Sequence, residues 1–305
     1  MFRDGLPTSF EPTSDCKNFM SADSKPSVDA VPPIAHRSFP ILRATALSTS
    51  PLDDQIAIEE PLEIRIVTSV DGVKHDRSVS ITMRTPGHDA ELAAGFLVTE
   101  GILKRRDDVQ HVRPCRSGSV VRVRLRNGLV VDWDRLQRHV FTSSSCGVCG
   151  KSTIDSLHTQ IATPLIPAKP MIARSMLMTL PGKLRAMQPL FEKTGGVHAS
   201  GLFSTDGNLC GVFEDVGRHN ALDKLIGNQW LSDASVFASS ILVVSGRVSF
   251  ELVQKALVVG IPCLVAVGAP SSLAVELANE HAMSLVGFTK PDQCNVYADN
   301  GRIQA

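Results

Sequence analysis

The sequence ILVVSGRVSFELVQKALVVGIPCLVAVGAPSSLAVELANEHAMSLVGF, residues 241–288, sets the architecture of the second half of the chain. Apolar runs of strand length alternate along it with segments of helical period, in the order 241–244, 248–259, 261–267, 271–282 and 284–288. Helical crossovers pair successive strands in parallel and place the helices against the sheet. We therefore expect an α/β domain with helices on both faces of its sheet.

The preceding segments extend this domain. The runs 197–204 and 208–214 are typical of two strands, and the Asp-Gly turn between them predicts a hairpin. Helical periodicity predicts one helix at 217–229 and an amphipathic helix at 172–190. The domain then reads as a hairpin followed by βαβ units.

The first half of the chain has a different pattern. Alternating apolar residues predict strands at 57–68 and 77–84, joined by a second Asp-Gly turn. A helix follows Pro86-Gly87 and ends at Gly101, because glycine favours the backbone conformation that terminates helices. Two more strands are predicted, at 119–126 and 129–133. These elements indicate a small α+β domain.

These patterns divide the chain into four regions. Residues 1–56 are rich in Ser and Pro and lack periodicity, which predicts a disordered extension. The small α+β domain occupies 57–138, a CxxC loop and linker 139–170, and the α/β domain 171–305.

Composition limits the function classes. The net charge of zero argues against general nucleic-acid binding, which needs a surplus of basic residues. Seven cysteines, mostly scattered singly, do not form a disulfide framework, and Cys210 and Cys263 lie in apolar runs typical of a core. No secretory signal is evident, and no apolar run is long enough to span a membrane. We expect a reduced, cytoplasmic protein without a membrane partner.

The predicted strand 119–126 presents Arg122, Arg124 and Arg126 on one face and apolar residues on the other. Two interpretations stay open for the arginines. They form either a solvated sheet face or a landing surface for an acidic partner or an anionic ligand.

Loops that follow the predicted parallel strands form a candidate anion site. Ser245-Gly246-Arg247, residues 268–271 and residues 288–293 all come after strands, where ligands bind in open α/β sheets. Glycines permit close backbone approach, helix starts offer N–H groups, and Arg247 and Lys290 supply positive charge. The combination suits phosphate or pyrophosphate, although it matches no Walker or dinucleotide motif.

A charged stretch, EDVGRHNALDK at 214–224, crowds ionisable side chains at a predicted strand-to-helix junction. A solvated helix start explains Asp223 and Lys224. Arg218 and His219 fit a site at the same sheet edge better.

The pair Cys146 and Cys149 lies in the Ser/Gly-rich run FTSSSCGVCG. A thioredoxin-like redox pair would open the first helix of a βαβ unit, which this pair does not. A zinc site would need further ligands, such as Cys115 and His139, and the zinc deaminase pattern is missing. A sulfur carrier needs an exposed, nucleophilic thiol with reach, which this context favours. Two incidental thiols remain an alternative.

Seven stretches together resemble the formate dehydrogenase accessory sulfurtransferases, the FdhD family. They are EEPLEIRI (59–66), MRTPGHDAELAAGFLVTEGI (83–102), SSCGVCG (144–150), HASGLF (198–203), EDVGRHNALDKLIG (214–227), SGRVSFELVQKA (245–256) and VGFTKPDQCNVYA (286–298). The resemblance covers about residues 57–300.

The resemblance implies a fold and a function. The fold is a small α+β domain joined to a cytidine-deaminase-like α/β domain without the deaminase zinc ligands. Such proteins take sulfur from a cysteine desulfurase and pass it to the molybdenum cofactor, a bis-molybdopterin guanine dinucleotide, before its insertion into formate dehydrogenase. An alternative is a non-catalytic chaperone that binds the cofactor and docks on the apoenzyme. A homodimer is expected from the family alone.

The resemblance also assigns residues. Cys146 would carry the persulfide and Cys149 would assist transfer. The cofactor segment would be Phe288, Thr289, Lys290, Pro291, Asp292 and Gln293, with Arg218, His219 and Arg247 as further candidates. The family often has small or basic residues where this chain has Asp292-Gln293. No metal ligands of the protein itself are expected.

Overall fold

The computed structural model describes residues 34–70, 72–115, 118–129, 131, 133, 161, 164–232 and 236–305. Within these ranges the chain forms two main sheets and two smaller strand pairs, with helices packed against the sheets. None of the helices in these ranges is long and apolar enough to cross a membrane.

A β-hairpin opens the described part of the chain. Strand β1 (His36–Ala44) pairs antiparallel with β2 (Thr49–Ala57). This corrects the predicted disorder of residues 1–56, of which 1–33 lie outside the described residues. Pro40 and Pro51 weaken the strand signal in the sequence, but a two-stranded sheet has only edge strands, which tolerate proline. The hairpin leaves Leu42 and Leu47 largely exposed.

The first main sheet belongs to the predicted α+β domain. Its strands are β3 (Glu60–Val70), β4 (Val73–Arg84), β5 (Val109–Pro114) and β6 (Val120–Leu125), in the spatial order β4-β3-β6-β5. Helix α1 (Asp89–Thr99) follows β4 and ends before Gly101, which has the predicted positive φ of 70°. The core face of β3 presents Leu62, Ile64 and Ile66, as the alternation predicts.

Two features of this sheet differ from the predictions. Strand β5, whose sequence VQHVRP has little apolar alternation, was not predicted. The predicted strand at 129–133 is not formed at Leu129 and Val131, which are described and lie outside any strand. Apolar runs this short do not distinguish a strand from a turn that packs against the core.

The second main sheet has six strands and accounts for residues 198–298. The elements of the second half are β7 (Ile172–Ala173), α2 (Arg174–Ala186), α3 (Pro189–Thr194), β8 (His198–Ser204), β9 (Leu209–Asp215), α4 (Arg218–Leu231), β10 (Ser240–Val244), α5 (Phe250–Val258), β11 (Cys263–Ala266), α6 (Ser272–Glu280), β12 (Ser284–Gly287), β13 (Asn295–Ala298) and β14 (Ile303–Gln304). The sheet order is β13-β12-β11-β10-β8-β9.

Strand directions in this sheet match the predicted hairpin and crossovers. Strands β8 and β9 form the antiparallel hairpin, and β10, β11 and β12 run parallel. Alternate residues face opposite helix layers: Leu242 and Leu264 pack with α4, α5 and α6, whereas Val243 and Val265 pack with α2. The prediction of helices on both faces is therefore confirmed.

The helix predicted at 172–190 is two helices. Helix α2 ends at Ala186, and α3 begins at Pro189. Proline has no N–H to continue a helix but is favoured at a first helical position, which explains the break. Residues 172–173 instead pair with β14, near the end of the chain.

A buried arginine fixes the segment that leads into β7. Arg302 donates to the backbone carbonyls of Ile166, Lys169 and Ala282, the last of which lies in the turn before β12. Because three carbonyls from two separate segments share one guanidinium, residues 166–169 are anchored beside the amino end of β12.

Helices α1 and α4 cross so closely that the two sheets share one core. A β-carbon built on Gly95 of α1 would overlap the carbonyl oxygen of Asp223, and one built on Gly227 of α4 would overlap that of Glu91. Both positions therefore require glycine. Around the crossing, a single cluster of buried side chains joins Leu62 of the first sheet to Leu242 of the second.

Two buried ion pairs flank this crossing. The Asp215 carboxylate lies 2.7 Å from Lys224 Nζ and accepts hydrogen bonds from the backbone N–H groups of Thr85 and Gly217. Lys255 of α5 lies 3.0 Å from the Asp223 carboxylate. The solvated helix start that the sequence suggested for Asp223 and Lys224 is therefore wrong, because both side chains are buried and paired. Losing one partner of a buried pair typically costs about 3–5 kcal/mol, so these pairs hold α4 against β9 and α5.

We expect Gly95→Ala to lower the free energy of unfolding by about 3 kcal/mol, because the added methyl group forces the helix backbones apart. Gly182→Ala in α2 is the matched control, since nothing lies within 4 Å of its β-carbon position. The control should stabilise the protein by about 0.5–1 kcal/mol. Urea unfolding measures both variants, and equal stability of the two would contradict the crossing.

Candidate functional site

Three loops meet at the carboxyl edge of strands β10, β11 and β12, where the sequence predicts an anion site. Gly268 N–H donates to Gly246 O at 3.1 Å, and Phe288 N–H donates to Gly268 O at the same distance. These bonds tie each loop to the next. The loops after the three parallel strands therefore form one continuous layer.

Two helix starts adjoin this layer. Gly217 is the N-cap of α4, and Ser249 is the N-cap of α5, and neither has a side-chain capping bond. The first N–H groups of a helix carry partial positive charge and have no intrahelical partner. With the adjoining side chains of Arg218 and Arg247, this edge is suited to a negatively charged group.

The segment from Phe288 to Gln293 forms a turn on this edge, closed by a bond from Lys290 N–H to Gln293 O. Phe288 adopts a positive φ of 49°, uncommon for a residue other than glycine. Lys290, Pro291, Asp292 and Gln293 are exposed. Asp292 therefore lies in a solvated turn, where its charge is screened.

Two side chains on this edge have buried polar atoms without a hydrogen-bond partner among the described residues. They are the Thr289 hydroxyl and Arg218 Nε. Thr289 is only 2% exposed. Buried polar groups in folded proteins are almost always hydrogen-bonded, so unpaired ones are expected where a ligand or water completes the site.

His219 makes a specific contact that the sequence did not indicate. Its Nε2 lies 3.3 Å from both Ser249 Oγ and Glu251 Oε2, and the Ser249 hydroxyl donates to Glu251 at 2.8 Å. The hydrogen bond with His219 lowers the pKa of Glu251 to about 2. Since serine and carboxylate share one ring nitrogen, the three residues do not form a hydrolytic relay, which uses both nitrogens.

His198 also lies on this edge, and it was not among the site residues predicted from the sequence. It lies at the start of β8, beside Gly246 in the loop that follows the neighbouring strand β10. Burial and the positive charges of Arg218, His219 and Arg247 lower its pKa. Its imidazole is therefore biased toward the neutral form, and it reports a cationic environment. Its place in the matched run HASGLF was the available signal.

The described residues do not include the predicted reactive cysteines. Cys146 and Cys149 lie outside the described residues, as does the rest of 134–160. The core prediction for Cys210 and Cys263 is confirmed, and burial raises the pKa of Cys263 to about 12. Among the described residues, no group of three or more His, Cys, Asp and Glu side chains is placed to hold a metal ion.

Comparisons with known proteins identify relatives over most of the chain. The family model described as FdhD/NarQ family matches residues 57–304. A protein named sulfur carrier protein FdhD from Streptomyces coelicolor is 45% identical over 271 residues, or 86% of this chain and 93% of the relative. Proteins of the same name from Mycobacterium tuberculosis and Sulfurisphaera tokodaii are 42% and 40% identical, over 88% and 82% of this chain and 98% and 92% of their own.

A crystal structure shows that the fold is shared. It is that of a candidate formate dehydrogenase accessory protein from Desulfotalea psychrophila, which is 24% identical to this chain. The match covers 89% of this chain and 100% of that protein, with a TM-score of 0.67.

The low pKa of Glu251 predicts a pH dependence. A carboxylate whose pKa falls from about 4.3 in the unfolded chain to about 2 stabilises the fold above pH 4.3, and this stabilisation is lost as pH falls through 2. Glu251→Gln should therefore lower the midpoint of thermal unfolding at pH 7 and match the wild type near pH 2. Glu276→Gln, an exposed carboxylate on α6, is the control. A deficit that persists unchanged at pH 2 would contradict the ion pair.

Proposed function

The chain belongs to the FdhD/NarQ family, and we propose that it is a sulfur carrier in the maturation of a formate dehydrogenase. In this proposal a cysteine desulfurase supplies the sulfur in a reduced, cytoplasmic compartment. The protein passes it to the molybdenum cofactor, a bis-molybdopterin guanine dinucleotide, which is cargo and not a resident group. The name shared by the curated relatives supports the sulfur-carrying part.

Cys146 is the proposed carrier of the sulfur. Its thiolate attacks the terminal sulfur of the donor's cysteine persulfide, so a new S–S bond forms at Cys146 and the donor cysteine leaves as a thiolate. The Cys149 thiolate then attacks the Cys146 sulfur and releases the terminal sulfur as hydrosulfide, leaving a Cys146–Cys149 disulfide. Two electrons from a thiol reductant restore the pair. The CGVCG spacing supports this division of roles.

The carboxyl edge of the second sheet is the proposed cargo site, and the single observation that carries it is the pair of buried, unpartnered polar atoms at Thr289 and Arg218. A dinucleotide brings pyrophosphate groups, which accept hydrogen bonds and carry negative charge. Arg218, Arg247 and Lys290 are the proposed counter-charges, and the helix starts at Gly217 and Ser249 the proposed N–H donors. His219 is held by Glu251 beside them.

A non-catalytic chaperone is the second candidate function. It is favoured by one observation: among the described residues, those that form the cationic edge all belong to 198–293. Such a protein would bind the cofactor and dock on the apoenzyme with its cysteines dispensable.

Two further features belong to the proposal. The cytidine-deaminase-like description of the second domain is supported by its hairpin, its three parallel strands and its helices on both faces. A homodimer is supported by the apolar side chains that the β1–β2 hairpin exposes, since Leu47 is 98% and Leu42 71% exposed. Helix α3 of the same chain contacts β2 but leaves these leucines exposed, so a second copy would cover them.

We expect the protein, incubated with a cysteine desulfurase and cysteine, to gain one sulfur atom in its intact mass after thiol trapping. Cys146→Ala should abolish the gain, because it removes the attacking thiolate, whereas Cys149→Ala should retain the persulfide since its release is blocked. Cys210→Ala, a change at a buried thiol, is the control. An equal gain in Cys146→Ala would overturn the carrier proposal. Full rescue of formate dehydrogenase activity by Cys146→Ala in a deletion strain would favour the chaperone.

Guanosine diphosphate tests the cargo site, because it carries the base and pyrophosphate of the dinucleotide. Isothermal titration should show binding that Arg218→Ala and Lys290→Ala each weaken about tenfold, the usual effect of losing a charge-assisted hydrogen bond. Arg43→Ala on the exposed hairpin strand is the charge-matched control. Unaltered affinity in both site variants would contradict the proposal that the cargo binds at this edge.

A further inference from the structure

The face of the first sheet that points away from the core has an unusual side-chain pattern. Residues paired across neighbouring strands lie on the same face of a sheet. Here Glu63 pairs with Ile81, Arg65 pairs with Arg122, and Arg122 pairs with Arg113. We call this the outer sheet face, and its members are Glu63, Arg65, Ile81, Met83, His111, Arg113, Arg122 and Arg124. The residues between them, such as Ile64 and Val123, are fully buried on the other side.

Positive charge dominates the half of this face formed by β5 and β6. Arg65 and Arg122 share the Asp76 carboxylate at 2.7 and 3.0 Å. Arg113 and Arg124 have no carboxylate within 4.0 Å in the described ranges, so their charges are not neutralised there. Burial, together with these two charges, lowers the pKa of His111, which is consistent with a positive local potential.

The half formed by β4 is apolar. Ile81 is 69% exposed and Met83 is 47% exposed, although both lie in a regular strand. Exposed apolar side chains that adjoin arginines are typical of protein interfaces, in which Arg and Met are enriched. The face thus combines an apolar anchor with a cationic surface.

We propose that the outer sheet face is the docking surface for a protein partner with an acidic surface, and that this partner is the sulfur donor. The second part rests on the proposed function. A chain of net charge zero concentrates basic residues here, so the charge complementarity is local.

Other occupants fit the charges less well. A second copy of the chain would bring arginines against arginines. A nucleic acid would bring a continuous phosphate backbone against Glu63 and Asp76 as well as the arginines, whereas a protein surface can place its acidic groups opposite the arginines alone. The segment 134–160 carries three Lys/Arg residues against two Asp/Glu, so it does not complement this face either.

Position along the chain favours the donor over the client enzyme. Strand β6 ends at Leu125, 21 residues before Cys146, which the donor must reach. The client must instead reach the cargo edge of the second sheet. Docking at the outer sheet face would engage the strand that precedes the segment with Cys146, and it would use none of the residues of the proposed cargo edge.

The experiment compares two routes of sulfur loading in the full-length protein. The variant Arg113→Glu/Arg124→Glu reverses two charges on the outer sheet face, and Arg37→Glu/Arg43→Glu reverses two on the β1–β2 hairpin as control. Each is loaded by a purified cysteine desulfurase with cysteine, or by inorganic polysulfide, which needs no docking. Biolayer interferometry measures desulfurase affinity at 50 and 300 mM salt.

We expect the outer-face reversal to weaken desulfurase binding at least tenfold and to slow desulfurase loading in proportion, with polysulfide loading unchanged. The control should retain both, and high salt should weaken wild-type binding. Ile81→Ser should weaken binding at either salt concentration. Normal desulfurase binding by the outer-face reversal would overturn the inference and leave the proposed function intact.

The remaining outcomes separate the two levels of the proposal. A wild-type protein that neither reagent loads would contradict the proposed function itself. Loss of self-association in the outer-face reversal would assign the face to a second copy, and loss of binding to a labelled RNA oligonucleotide would assign it to nucleic acid. Either result would overturn the donor surface.

Discussion

The crossing of helices α1 and α4 at Gly95 and Gly227 is the constraint from which the arrangement of the two sheets follows. Only glycines allow two helix backbones to approach this closely, and the approach brings Thr99 of α1 within hydrogen-bond distance of Asp223 of α4. Two regions that look like separate domains in the sequence therefore share a core. Neither can shift without breaking the buried hydrogen bonds that Thr85 and Thr99 make with Asp215 and Asp223.

This shared core explains how short loops can hold the candidate site in place. The loops after β10, β11 and β12 are hydrogen-bonded to one another, while α4 and α5 deliver their first turns to the same place. The ion pair between Asp215 at the end of β9 and Lys224 in the second turn of α4 anchors the start of this helix. Helices and strands thus position the side chains on the edge. The polar atoms of these side chains are not needed for hydrogen bonds that stabilise the fold.

The sequence predicts strand and helix order well wherever hydrophobic period and length agree, as in residues 241–288. It fails where one interaction outweighs local pattern. The β1–β2 hairpin contains prolines, β5 has only two apolar residues before its final proline, and Pro189 begins a new helix within the segment predicted at 172–190. The candidate site was predicted from its glycine loops and charges, and it stays a prediction. Its Ser249–Glu251 contact with His219 was missed, because residues 30 positions apart meet only through tertiary packing.

The Arg302 clamp has a consequence for any carrier role of the cysteine pair. It fixes residues 166–169 beside the amino end of β12, whereas the proposed cargo edge lies at the carboxyl ends of the parallel strands. Cys149 precedes Ile161, which packs against the shared core, by 12 residues, and covalent geometry limits that span to about 40 Å. If Cys146 carries sulfur, its effective concentration at the proposed cargo edge depends on where the described chain beyond Cys149 is held, and Arg302 holds the part that follows Leu165. The guanidinium of Arg302 would then influence how often sulfur and cargo meet.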